Sequence, residues 1–178
     1  MNTQRTTNAA PQNSQPPERD FEQLDLGPIM VKLTNTKHGK GWSHERAQAV
    51  VIQYRRFLTL IRENPNATIV PTEAIDEFWH THILDTAKYS EDCKEYFGFY
   101  LHHFPYLGLR GDADEERLAA AFENTKNLYE ARFGESLLPT TGELSVADCS
   151  AGCGGVVCSA GTCSADQRPE YKPQKAAA

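Results

Sequence analysis

The sequence predicts an all-α protein, a compact bundle of four to five helices, and three observations lead there. Apolar residues recur at three- and four-residue spacings through the middle of the chain. Residues that cap and stop helices stand at the ends of those runs. No long stretch alternates apolar and polar residues as a half-buried strand would.

The elements follow in chain order. Residues 1–19 are mostly Asn, Gln, Thr and Pro, with few large apolar side chains to offset the entropy of ordering. They read as a disordered arm. "DLGPIMVKLTN" at 25–35 predicts a short first helix. Ala47, Val50, Val51, Tyr54, Leu58 and Ile61 share one face of a second, with Ser43 as N-cap and "ENPN" at 63–66 as its stop. Ile75, Phe78, Trp79, His82, Ile83 and Thr86 share a face of a third, capped by Thr72 just after Pro71. Ser90 is expected to open a short fourth helix carrying Cys93, Phe97 and Tyr100, ended before Pro105. Asp112 with Glu115 resembles a capping box in which Asp replaces Ser or Thr. It would open a last helix on which Leu118, Phe122, Thr125 and Tyr129 align. The helical domain is thus expected over 20–136. Residues 137–178, rich in Gly, Ala, Ser and Cys, are expected to form a flexible tail.

The 178 residues suit one domain with tails. A net charge of −6 argues against a phosphate-binding surface, so no nucleic-acid partner is expected. No apolar run approaches the roughly 20 residues that span a bilayer. The first residues lack the apolar core of a secretory signal. A cytoplasmic protein without a membrane partner is the expectation.

The chemistry concentrates in residues 76–106, which hold four of the six histidines. Successive helical residues turn by about 100°, so His80 and His82 point to nearly opposite faces. Asp85 lies three residues beyond His82 and within its reach, while Asp76 and Glu77 lie four and three residues behind His80. A carboxylate behind an imidazole fixes its tautomer and orients it for a metal or a proton transfer. The same pairing also satisfies a buried histidine that does nothing else. His102 and His103 are adjacent, so at most one faces inward. If that segment folds back on the third helix, one imidazole approaches His80 or His82. With Asp85 or Cys93 it would complete three mixed ligands, the number an open zinc site uses. Cys93 by itself reads as a small core residue.

These residues also carry a resemblance. Asp76, Trp79, His80, His82, Leu84, Tyr89, Asp92, Cys93 and Gly98 match a pattern of Trp-His-x-His-x-Leu, Tyr, Asp-Cys and Gly. The stretch resembles the core motif of the glycine-rich domain-containing protein-like family. The resemblance implies a helical domain found in plant, fungal and bacterial proteins beside other segments. Trp79, Tyr89, Asp92, Cys93 and Gly98 would be its structural motif. It implies no established activity. Plant members are linked with stress and development, and some carry RNA-binding regions. This chain has no RNA-recognition signature, so that role is not carried over.

Four more cysteines, Cys149, Cys153, Cys158 and Cys163, crowd the segment "CSAGCGGVVCSAGTC". Their C-x3-C and C-x4-C spacings are not the C-x2-C knuckles of structural zinc sites. The Gly and Ala between them permit wrapping around a soft ion, Cu(I) or Zn(II), and equally permit a flexible tail with reactive thiols.

Three function classes remain. The first is a cytoplasmic binding or accessory module with a histidine and aromatic pocket, whose cysteine tail is soft-metal-binding or redox-sensitive. Its metal ligands would come from His80, His82, Asp85, His103 and the four tail cysteines, with a metal ion or a protein as partner and Zn or Cu as cofactor. The second is a metal-dependent or Cys–His enzyme using residues 80–103. The third is a structural interaction domain with no site chemistry, and the tail also admits a precursor reading in which other enzymes modify it. No G-x-S-x-G, P-loop or dinucleotide fingerprint favours a reaction type, and no catalytic residue is assigned.

Overall fold

A computed structural model describes residues 19–137 together with the strand Val156–Cys158. The expected arm over 1–18 and the rest of the tail lie outside the described residues.

A 3-10 turn, Phe21–Gln23, leads into α1 (Gly27–Thr34), α2 (His44–Glu63), α3 (Glu73–Leu84), α4 (Thr86–Tyr96) and α5 (Asp112–Phe133). The helical fold class is as the sequence predicts. One short strand, β1 (His102–Phe104), lies between α4 and α5 and pairs antiparallel with β2 (Val156–Cys158). Three residues are too few for alternation to register in sequence, which is why no strand was expected.

α2 is the axis of the bundle. It touches α1, α3, α5 and the 3-10 turn. Ser43 caps it, accepting the Arg46 N–H at 3.1 Å. The helix ends at Glu63, and Asn64 is its C-cap immediately before Pro65. All six residues of its expected stripe are buried, joined by Phe57 and Leu60. Against them pack Ile75, Phe78, Trp79 and His82 of α3, with Thr72 capping that helix through the Ile75 N–H. Ile83 is half-buried and Thr86 exposed, so the apolar face of α3 stops short of both.

The chain bends sharply at Asp85, which ends α3 and caps α4. Its carboxylate accepts the Lys88 N–H, so it has a local task and is not the partner of His82. Ser90 accordingly lies inside α4 rather than at its start. α4 stops at Tyr96, and Gly98, at φ 78°, donates its N–H back to the Cys93 and Lys94 carbonyls. This left-handed closure favours glycine and turns the chain toward β1.

The expected capping box of α5 does not form. Asp112 is already helical, and Gly111 holds the cap position without a side chain to offer. The neighbouring acid does the organising instead. Buried Asp114 accepts the Gly108 N–H at 2.7 Å and pairs with the Arg110 guanidinium at 2.6 Å. A carboxylate two residues further on was the better satisfied one, because the loop folds over it.

Thr125, fully buried on α5, accepts the Val70 N–H at 2.9 Å and donates to the Ala121 carbonyl. Replacing it by Val keeps the shape and orphans the Val70 donor. Thr125→Val is expected to destabilise the protein by about 1–3 kcal/mol. Thr125→Ser should recover most of that loss, both measured by urea unfolding.

Candidate functional site

The two histidines of α3 build two different systems on its two faces. On the inner face His82 is only 1% exposed. Its Nδ1 lies 2.9 Å from the Tyr54 hydroxyl and its Nε2 2.9 Å from Asp92 Oδ2. Burial pushes the Tyr54 phenol well above its ordinary value, with the negative groups around it adding to the shift. The phenol therefore stays protonated and donates to Nδ1, which leaves Nε2–H to donate to Asp92. Burial alone would raise the Asp92 carboxyl, but hydrogen bonds from His82 and Lys88 outweigh it and hold the group below the usual carboxylate range. The Lys88 ammonium sits 2.9 Å from the same oxygen.

The rest of the motif packs around this chain. Trp79 Nε1–H donates to the Tyr89 hydroxyl at 3.0 Å, and that hydroxyl donates to the Leu101 carbonyl at 2.7 Å. Burial raises the Tyr89 phenol strongly and keeps it a donor. Cys93 is buried, and burial pushes its thiol up, away from the thiolate a nucleophile needs. Trp79, Tyr89, Asp92, Cys93 and Gly98 thus act as a satisfied interior network and a helix end.

On the outer face a second system assembles. Asp76 and His80 are one helical turn apart on α3. β1 brings His103 to them. His103 Nε2 lies 3.0 Å from Asp76 Oδ1 and 3.1 Å from His80 Nε2. His80 Nδ1 is 3.6 Å from Asp76 Oδ2. The Asp76 and His103 side chains are nearly buried, at 7% and 8% exposure, while His80 is half open at 49%. The Trp79 ring packs edgewise on His103, with centroids 4.5 Å apart. His80 is held below its ordinary imidazole value, first by burial and further by His103 and Lys40, against the pull of Asp76. It therefore presents a lone pair at neutral pH.

Among the described residues, Asp76, His80 and His103 are the group of His, Cys, Asp and Glu able to hold one ion, one ligand atom from each lying within 4.8 Å of the others. The expected ligands thus separate. His80 and His103 converge, whereas His82 is sealed on the opposite face with both nitrogens engaged. Asp85 is exposed at the helix joint. Cys149, Cys153 and Cys163 lie outside the described residues, and Cys158 is described only as a strand position. Asp76 was visible in sequence behind His80. That it would also meet His103 was not, because no local spacing relates α3 to β1.

A family profile described as UCP032817-like matches residues 21–125. The chain belongs to this family. Both histidine systems fall inside the matched stretch. Two relatives from Arabidopsis thaliana are similar: glycine-rich domain-containing protein 1, 33% identical over 91 residues, and glycine-rich domain-containing protein 2, 34% identical over 96 residues. Each match covers 49% of this chain and 11% of the relative. The chain therefore spans about a tenth of the length of the curated relatives it matches. No solved structure matches. Among the described residues, no helix is long and apolar enough to cross a membrane.

Because Asp92 is depressed in the folded state, its ionised form adds stability above the free-carboxylate value of about 3.9. That contribution is lost as pH falls through the lower folded value. Asp92→Asn is expected to cost about 1–3 kcal/mol at pH 7. The gap between variant and wild type should narrow in acid below about pH 4, as read by denaturant unfolding across pH.

Proposed function

We propose that this UCP032817-like chain is a cytoplasmic metal-binding accessory module, holding one divalent transition-metal ion between Asp76, His80 and His103. One observation carries the reading. Two electron-rich atoms, Asp76 Oδ1 and His80 Nε2, converge on the single nitrogen His103 Nε2. A lone proton on that nitrogen serves both poorly. A cation in their midst satisfies all three at once.

The distances support the same reading. Ligands about 2.0–2.1 Å from a tetrahedral zinc ion stand roughly 3.3 Å from one another. The two tight edges here, 3.0 and 3.1 Å, need only a slight opening. Two imidazoles and a carboxylate suit Zn(II), with Cu(II) as a competitor under the usual affinity order. Three protein ligands leave a fourth position for water or for a group from a partner. The half-open His80 leaves that side accessible. The partner is a metal ion, and a protein that adds the last ligand is compatible with it. Neither nucleic acid nor membrane enters the proposal.

The test is Zn(II) titration of full-length protein in which the four tail cysteines are replaced by Ser. One equivalent is expected to bind. At a hundredfold excess over its dissociation constant it would add about 2.7 kcal/mol to stability, visible as a raised Tm. His103→Ala should weaken binding by more than the roughly 10–100-fold typical of losing an outer-shell partner. Background metal in the protein lacking the four tail cysteines, with no Tm shift, would eliminate the proposal.

A further inference from the structure

The open side of the Asp76, His80 and His103 cluster has charged neighbours that the three ligands do not use. Glu77 follows Asp76 on α3, and its carboxylate collects two cations from outside that helix. Lys40 Nζ lies 2.8 Å from Glu77 Oε1, and Arg46 Nη2 lies 4.0 Å from Oε2. The Lys40 ammonium is also near enough to His80 to oppose a positive charge on that ring. The backbone sets where both cations start. The loop before α2 folds back on the end of α1, with the Lys40 and Trp42 N–H groups donating to the Leu33 carbonyl at 3.2 and 3.0 Å. That close approach demands glycine, since a Cβ at Gly39 would stand 1.8 Å from the Lys32 carbonyl oxygen. The Arg46 guanidinium lies over the buried Trp42 ring, 4.2 Å from its centroid. The chain carries −6 overall, yet between residues 32 and 46 Lys32, Lys37, Lys40 and Arg46 meet a single acid, Glu45.

From this arrangement we propose that the fourth position of the Asp76–His80–His103 ion takes a phosphate dianion, with one oxygen on the ion and another on the Lys40 ammonium. The inference rests on the metal site proposed above and names the class of its ligand. The charges decide for a dianion. Imidazoles bind a metal in their neutral form, so Asp76 alone cancels one of the two charges of a divalent ion. Glu77 cancels one of the two carried by Lys40 and Arg46. Two positive charges remain. A phosphate monoester near neutral pH balances most of that excess, and a carboxylate only half. Reach agrees with charge. The Lys40 side chain is 58% exposed, and its flexible four-carbon stem lets the ammonium leave Glu77 for a ligand beside His80. Lysine serves phosphate as a point charge, while Arg46 stays on Trp42 and adds to the field. The acidity of the whole chain opposes an extended nucleic-acid surface, and a single phosphate group seated on an ion needs none.

The experiment uses full-length protein with the four tail cysteines replaced by Ser. It is loaded with one equivalent of Co(II), whose visible absorption reports a new ligand. Inorganic phosphate is expected to bind the loaded protein, to leave the metal-free protein unoccupied, and to bind more tightly than acetate. Lys40→Gln should weaken phosphate by roughly tenfold or more. Its unchanged metal affinity would show that the cluster is intact, and Lys40→Arg should restore most of the loss. Glu77→Gln, which removes the competing carboxylate, should tighten phosphate. Glycerol phosphate and a phosphoserine peptide, compared on the same protein, distinguish a small phosphorylated molecule from a phosphorylated partner chain. A protein that takes up no metal overturns this inference together with the metal site. A loaded protein that ignores phosphate, binds acetate equally, or keeps wild-type phosphate affinity in Lys40→Gln overturns this inference alone.

Discussion

An imidazole sealed in the interior has two ring nitrogens that each need a partner. His82 meets that demand with two partners from two other helices. Tyr54 of α2 donates to one nitrogen, and Asp92 of α4 accepts from the other. An unpaired buried polar group costs about 1–3 kcal/mol, so this chain of three residues fixes how α2, α3 and α4 meet. Side-chain packing alone tolerates sliding. Two hydrogen bonds at 2.9 Å do not. The Trp79–Tyr89–Leu101 chain extends the same constraint to the segment after α4.

The outer site inherits its geometry from that inner lock. Once His82 is fixed inward, the helix turn of about 100° per residue sends His80 outward. Asp76 follows on the same face, one turn back. Tyr89 holds the Leu101 carbonyl, so the next residues enter β1 in a set place and His103 arrives beside Asp76. The cluster thus stands on a rigid helix and a pinned strand, the support that preorganised ligand sets need. A satisfied interior network thus positions the outer cluster of Asp76, His80 and His103.

The acidic residues divide by environment rather than by type. Asp85 and Asp112 sit at helix ends and face water. Asp76, Asp92 and Asp114 are largely shielded, and each has histidine, lysine or arginine against it. A shielded carboxylate persists only where a donor meets it.

By itself the sequence determined the helical class and the α2 stripe, the caps at Ser43 and Thr72, and the divergence of His80 from His82. All of these follow from local periodicity and from side chains within four residues of their partners. The α3 face also put Asp76 and His80 on one side. Only the tertiary structure decided the rest. His82 takes Asp92, ten residues away across a helix joint, and not the nearer Asp85, because Asp85 caps α4. Asp114, not Asp112, organises the start of α5, because a loop folds over it. His103 joins Asp76 and His80 only because Gly98 reverses the chain and β1 runs past α3. Local spacing reports which residues share a helix face. It carries no information about which faces of separate elements come together, and contacts between elements complete both histidine systems.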